Sequence, residues 1–196
     1  ILAGALGIPS VFGMGNLSLG IRTGDKILID TRKDCRVLLH PDEDTIQKIE
    51  ASIKRPDSTI IRSDVTADGQ KISLAANVAH PKELDFLLAL NIKRIGLFRS
   101  EFIFMSGVDL PTPEYQQQVY SQIIAAAPEM AVLRTIDIGS DKPLKYLPVT
   151  PEENPAMGFR SIRFGLARPD ILVPQLHAML KAASHKNCRI IFPMVS

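Results

Sequence analysis

With 196 residues, 45% of them hydrophobic, the chain is long enough to bury the core of one or two domains. Its 23 Lys and Arg nearly balance 21 Asp and Glu. It has neither a basic run nor a Trp for base stacking, which excludes the footprint of a nucleic-acid binder. Two widely separated cysteines, Cys35 and Cys188, fit neither a disulfide framework nor a metal-ligand spacing, and predict a reduced, cytoplasmic protein.

The chain begins on "ILAGALGIPSVFGMGN". Residues Ile1 to Leu6 read as the last turns of a helix, capped at Gly7 and stopped by Pro9. This stretch is too short and too interrupted to span a bilayer, and it lacks the basic leader of a signal peptide, so no membrane insertion is expected. "SVFGMG" predicts a short strand. Residues 26–30 and 36–40 form two β-rich runs around a polar turn, a hairpin. Residues 45–54 carry Ile46, Ile49 and Ile53 at helical spacing. "KRPDS" ends that helix, which is a candidate linker.

The rhythm then changes. An Asp68-Gly69 turn sits between extended runs. Strands are expected at 72–78, 94–99, 131–138 and 189–195. Helices are expected at 81–90, 113–127, 157–166 and 168–184, the first opened by Pro81 with His80 helping to start it. Strands alternating with helices predict a parallel sheet wrapped by helices. Four strands in roughly 125 residues are about half of a (β/α)8 barrel. A small doubly wound domain is the competing architecture. The bare strand at the end and the apolar start make both termini look cut from something longer.

Reactive groups collect at the C-terminal ends of parallel strands. Those ends carry Asn77, then Arg99 with Glu101, then Arg134 with Asp137, then Met194. Two arginines at neighbouring strand ends can clamp a phosphate or carboxylate with planar forks of donors. Lys142 in "DIGSDK" adds a mobile charge after Gly139. Taken singly, each arginine reads first as half of a structural ion pair with Glu101 or Asp137. Asn154-Pro155 reads as a turn, His177 as a surface or packing residue, and Met157, Met179 and Met194 as core filling.

"GLFRSEFIFM", "LRTIDIGSDKPLKYLP", "EENPAMGFRSIR" and "RIIFPMVS" together resemble, in order and spacing, the phosphoenolpyruvate (PEP)-utilising enzymes. Within that family the resemblance is strongest to the PEP–protein phosphotransferases that start bacterial phosphotransfer chains, in either the sugar or the nitrogen-related branch. "ILAGALGIPSVFG" is similar to the segment after that family's phosphorylated histidine, and "VLLHPDEDTI" to the exit from its swivelling domain. The resemblance implies three parts: residues 1–41, the remainder of a swivelling phosphohistidine domain; 42–63, a helical linker; and 64–196, the first half of a PEP-binding (β/α)8 barrel. It implies Arg99 and Arg134 on the substrate phosphate, Lys142 assisting, and Arg160 supporting them from behind.

The resemblance also implies Mg²⁺ held by acidic residues that do not match any position of this chain. The partners it implies are PEP, a histidine phosphocarrier protein and a second copy of the parent protein. The acceptor histidine and the proton-donating cysteine find no match either, since Cys188 lies in the wrong motif context. The stretch alone is therefore expected to be inactive. Ser100 stands where threonine is usual. The alternatives are a PEP synthase or pyruvate phosphate dikinase fragment, a non-enzymatic anion- or protein-binding regulatory module, or an unrelated barrel enzyme.

Overall fold

The computed structural model describes residues 8–31, 35–52, 64–140, 144, 146–184 and 187–195. The chain divides into two compact units, Ile1–Ile60 and Ile61–Ser196.

In the first unit, β1 (Ile27–Asp30) and β2 (Arg36–Leu39) pair antiparallel, Ile27 opposite Leu39 and Asp30 opposite Arg36. This is the expected hairpin. Helix α1 (Glu43–Ser52) follows, with Asp42 accepting from the Thr45 amide at 2.6 Å and acidic residues filling its first turn. Ile46 and Ile49 are only half-buried, and no residue of α1 is fully buried. "SVFGMG" is a correction: no strand forms, and the chain enters a 3-10 helix at Gly15–Gly20. Gly13 and Gly15 both take positive φ, 77° and 54°, which breaks an extended run. The expected helix at residues 1–6 lies outside the described residues, as does most of the stretch after α1.

The second unit is a four-stranded sheet in the order β3 (Ala76–Val78), β4 (Arg94–Arg99), β5 (Met130–Arg134), β6 (Cys188–Ile191). All three pairings are parallel, and sequence neighbours are sheet neighbours, with no reversal of order. Between the strands lie α2 (Leu84–Ala89), α3 (Glu101–Met105), α4 (Pro113–Ala125), α5 (Ser161–Ala167) and α6 (Pro169–Ala183).

The core is the apolar face between sheet and helices. Ile95, Phe98, Ala131 and Leu133 from the strands meet Tyr120 and Ile123 of α4 and Met179 of α6, all fully buried. Phe98 and Tyr120 pack edge to face, centroids 6.2 Å apart. Local signals place the helices. Thr112 caps α4 by accepting from the Tyr115 amide at 3.2 Å, ahead of Pro113 at the first helical position. His80 starts its 3-10 turn as expected. Its Nδ1 accepts from Lys82 N at 3.1 Å, while Glu83 reaches back to the amides of Ala79 and His80 at 2.7 and 2.8 Å.

Several boundaries move. The strand expected at 72–78 pairs only from Ala76, and the Asp68-Gly69 turn joins a short antiparallel bridge, Val65 to Lys71, closed by Thr66 N to Gln70 O at 2.9 Å. The helix expected at 157–166 begins at Ser161, because the Glu152 carboxylate takes the Phe159 amide at 3.0 Å and fixes the preceding residues as a loop. A Cβ on Gly158 would collide with that carboxylate. Met157 is 66% exposed on this loop, not core filling, whereas Met179 is fully buried. The strand expected at 131–138 leaves the ladder after Arg134, and the one at 189–195 stops at Ile191.

Candidate functional site

Arg99 and Arg134 end adjacent parallel strands and are partners in register, so their α-carbons stand roughly 4.8 Å apart. Between them lies Glu101, the first residue of α3, with no exposed surface. One oxygen, Oε1, accepts from Arg99 Nε at 3.1 Å and also from Arg134 Nη2. Arg99 further lies over the Phe102 ring, its Cζ 5.0 Å from the centroid. Two bonds from charged donors make Glu101 a bracket between the arginines. Its Oε2 and the Arg134 Nε have no hydrogen-bond partner among the described residues.

A second carboxylate continues the network. Asp137, three residues after Arg134, lies 3.4 Å from Arg134 Nη1 through Oδ2. Its Oδ1 accepts from Arg160 Nε at 3.0 Å, from Arg160 Nη2 at 2.9 Å and from the Ser161 hydroxyl. Burial by itself pushes the Asp137 carboxyl up, but Ser161, Arg160 and Arg134 outweigh it and hold Asp137 below the usual carboxylate range. Ser161 adopts φ +54°, an uncommon backbone for a residue with a side chain, and its amide donates to Ile138 O at 3.3 Å.

Three guanidiniums thus face two carboxylates, leaving one positive charge in excess among these five groups. Arg99 and Arg134 keep 21% and 17% of their side-chain surface accessible, so the excess charge is reachable from outside. Such an arrangement can take an anion with planar, multidentate donors. It does not suit a divalent cation, because each carboxylate is already ion-paired with two arginines. Among the described residues no cluster of three or more His, Cys, Asp or Glu could hold a metal ion.

Of the residues singled out from sequence, the structure brings Arg99, Arg134 and Arg160 together; Lys142 lies outside the described residues. Asn77 precedes the last residue of β3 and is exposed, and His177 is exposed on α6. Cys188 opens β6, and burial raises its thiol, the opposite of what a reactive thiolate needs. No helix among the described residues is long and apolar enough to cross a membrane.

Comparison with known proteins gives the family. The family described as "PEP-utilising enzyme, PEP-binding domain" matches residues 57–196, which include every strand of the parallel sheet. The chain belongs to the PEP-utilising enzymes. Whole-length similarity agrees. The chain is 35% identical over 204 residues to a phosphoenolpyruvate-protein phosphotransferase of Staphylococcus aureus, 36% to one of Staphylococcus carnosus and 33% over 206 residues to one of Mycoplasma pneumoniae. Each alignment covers all of this chain and 35–36% of the relative. The chain therefore spans about a third of the length of the curated relatives it matches.

Sequence reasoning missed α3, the Asp137–Arg160 pairing and a buried polar node at Gln175. A signal for the node existed. Ile171, Leu172, Ala178, Met179 and Ala182 form the buried stripe of α6, and Gln175 falls in the middle of it at helical spacing.

Proposed function

We propose that the chain is part of a PEP–protein phosphotransferase in which Arg99 and Arg134 receive the phosphate of PEP. The phosphoryl group then passes to an enzyme histidine and on to a histidine phosphocarrier protein. The observation that carries this reading is the pairing of Arg99 with Arg134 at neighbouring strand ends, both bracketed by the buried Glu101.

In this reading residues 1–41 are the remainder of the swivelling phosphohistidine domain and 42–63 the linker. Residues 64–196 are the first half of a (β/α)8 barrel. The unreversed order β3-β4-β5-β6 favours a barrel over a doubly wound sheet, which reverses strand order at its switch point. Lys142 adds a further charge on the phosphate, and Arg160 acts through Asp137 rather than on substrate. The parent enzyme is cytoplasmic and dimeric. Magnesium, which screens phosphate charge when bound, takes its ligands from outside this cluster.

Phosphoryl transfer leaves little covalent work to the protein. The bond from phosphorus to the enol oxygen breaks as a histidine nitrogen takes the phosphoryl group. Guanidiniums fixed before substrate arrives neutralise charge on the non-bridging oxygens without reorganising. Glu101 and Asp137 hold them in place.

The test is substitution in the complete protein. Arg99→Ala and Arg134→Ala are each expected to lower PEP-dependent phosphorylation by about 100-fold or more, with an unchanged circular-dichroism spectrum. Transfer at wild-type rates in both variants refutes the assignment.

A further inference from the structure

The two arginine-bearing strand ends share a support far away in sequence. Gln175, in the middle of α6, has no exposed surface. Its Oε1 accepts from the Ile136 amide at 3.0 Å, and its Nε2 donates to Ser100 Oγ and to Tyr120 Oη, each at 3.1 Å. Ser100 lies between Arg99 and Glu101, and Ile136 between Arg134 and Asp137. The Ile136 amide is a donor only, so it fixes which end of the Gln175 side chain faces β5 and leaves the NH₂ for the two hydroxyls.

Behind the node the network closes. Tyr120 Oη lies 3.3 Å from Gln116 Oε1 and donates to it, and Gln116 Nε2 donates to Pro111 O at 3.0 Å. Gln175 itself uses its acceptor and both amide hydrogens in a dry setting, where a satisfied network rigidifies its members and an unsatisfied one is costly. The node also explains the strand boundary: β5 leaves the ladder after Arg134, and the Ile136 amide turns to a side chain instead of a neighbouring strand.

We propose that Gln175 is a positioning residue. By holding Ser100 and Ile136 in one amide, it sets the separation and aim of Arg99 and Arg134 toward the substrate phosphate. This rests on the phosphate-binding role of those arginines. Gln175 touches no substrate and acts only through the two strand ends. A merely structural Gln175 would lower turnover in proportion to lost folded protein and leave KM alone, whereas a misaimed pair of guanidiniums must raise KM for PEP.

The experiment compares Gln175→Met, which keeps volume and loses all three bonds, with Gln175→Glu, which keeps the acceptor for Ile136 and, as the neutral acid, a donor for Ser100. Both are made in the complete protein and assayed for PEP-dependent phosphorylation beside Arg134→Ala. Gln175→Met is expected to raise KM about tenfold and Gln175→Glu less than about threefold, since a displacement of about 1 Å can cost as much as 100-fold. Wild-type KM in folded Gln175→Met overturns the proposal, as does a KM for Gln175→Glu as poor as that of Gln175→Met. Should Gln175→Met fail to fold, Ser100→Ala decides by the same measure: a raised KM supports the proposal and a wild-type KM overturns it. Should Arg134→Ala transfer normally, the arginine reading fails and takes this proposal with it; if Arg134→Ala is inactive and Gln175→Met normal, only this proposal falls.

Discussion

Glu101 and Asp137 illustrate why an arginine beside a carboxylate cannot be sorted into structure or function from sequence alone. Both carboxylates are ion-paired, yet the pairs leave one guanidinium in excess and two arginines partly accessible. The same contacts that neutralise charge also aim it. Asp137 adds a pH dependence with a defined sign. Its carboxyl is held below its ordinary value of 3.8 in the folded chain, so it stabilises the fold above that value and the contribution is lost as pH falls through the lower one. Denaturant midpoints measured from about pH 6 down to about pH 2 should therefore fall less steeply in Asp137→Asn than in the wild type. Equal slopes would show that Asp137 is not held below its normal range.

At the scale of elements, local chemistry and packing divide the work. β4 forms over the six residues expected for it, 94–99, and α4 starts at the expected Pro113, behind the Thr112 cap. The Thr112 hydroxyl satisfies one of the orphan amides of that helix, so Thr112→Ala is expected to cost about 1 kcal/mol in chemical denaturation. A loss below a few tenths would mean that water replaces the cap. α3 had no such announcement. "SEFIFM" reads equally as an extension of the strand, and becomes a helix because Phe102, Ile103 and Phe104 can all be buried there while Glu101 faces two arginines. The late start of α5 likewise depends on Glu152, seven residues from the amide it captures.

For the molecule as a whole, burial is unevenly shared. Among the described residues, the buried apolar core lies in the second unit, from Val78 to Ala182. Among the described residues of the first, Asp30 alone is buried, and β1 and β2 expose Ile27, Ile29 and Leu39. A hairpin whose described residues bury so little apolar surface is marginal in water. Amide exchange in β1 and β2 should accordingly be faster than in β4 and β5 by about a hundredfold or more, as mass spectrometry of exchanged peptides would read. Equal protection in both regions would show that the first unit carries a stability its burial does not supply.

The sequence alone was enough for the family, the alternation of strands and helices, and the two strand-end arginines. Periodicity, caps and motif spacing are local properties, readable within a dozen residues. What only the tertiary structure decided are the contacts that turn these arginines into one cluster. Glu101 lies 33 residues from Arg134, Asp137 lies 23 from Arg160, and Gln175 lies 75 from Ser100. Parallel strands joined by helical crossovers bring such residues together only after the sheet has formed. A buried polar group is then forced to find whichever partner the packing puts in reach, and no local pattern records that choice.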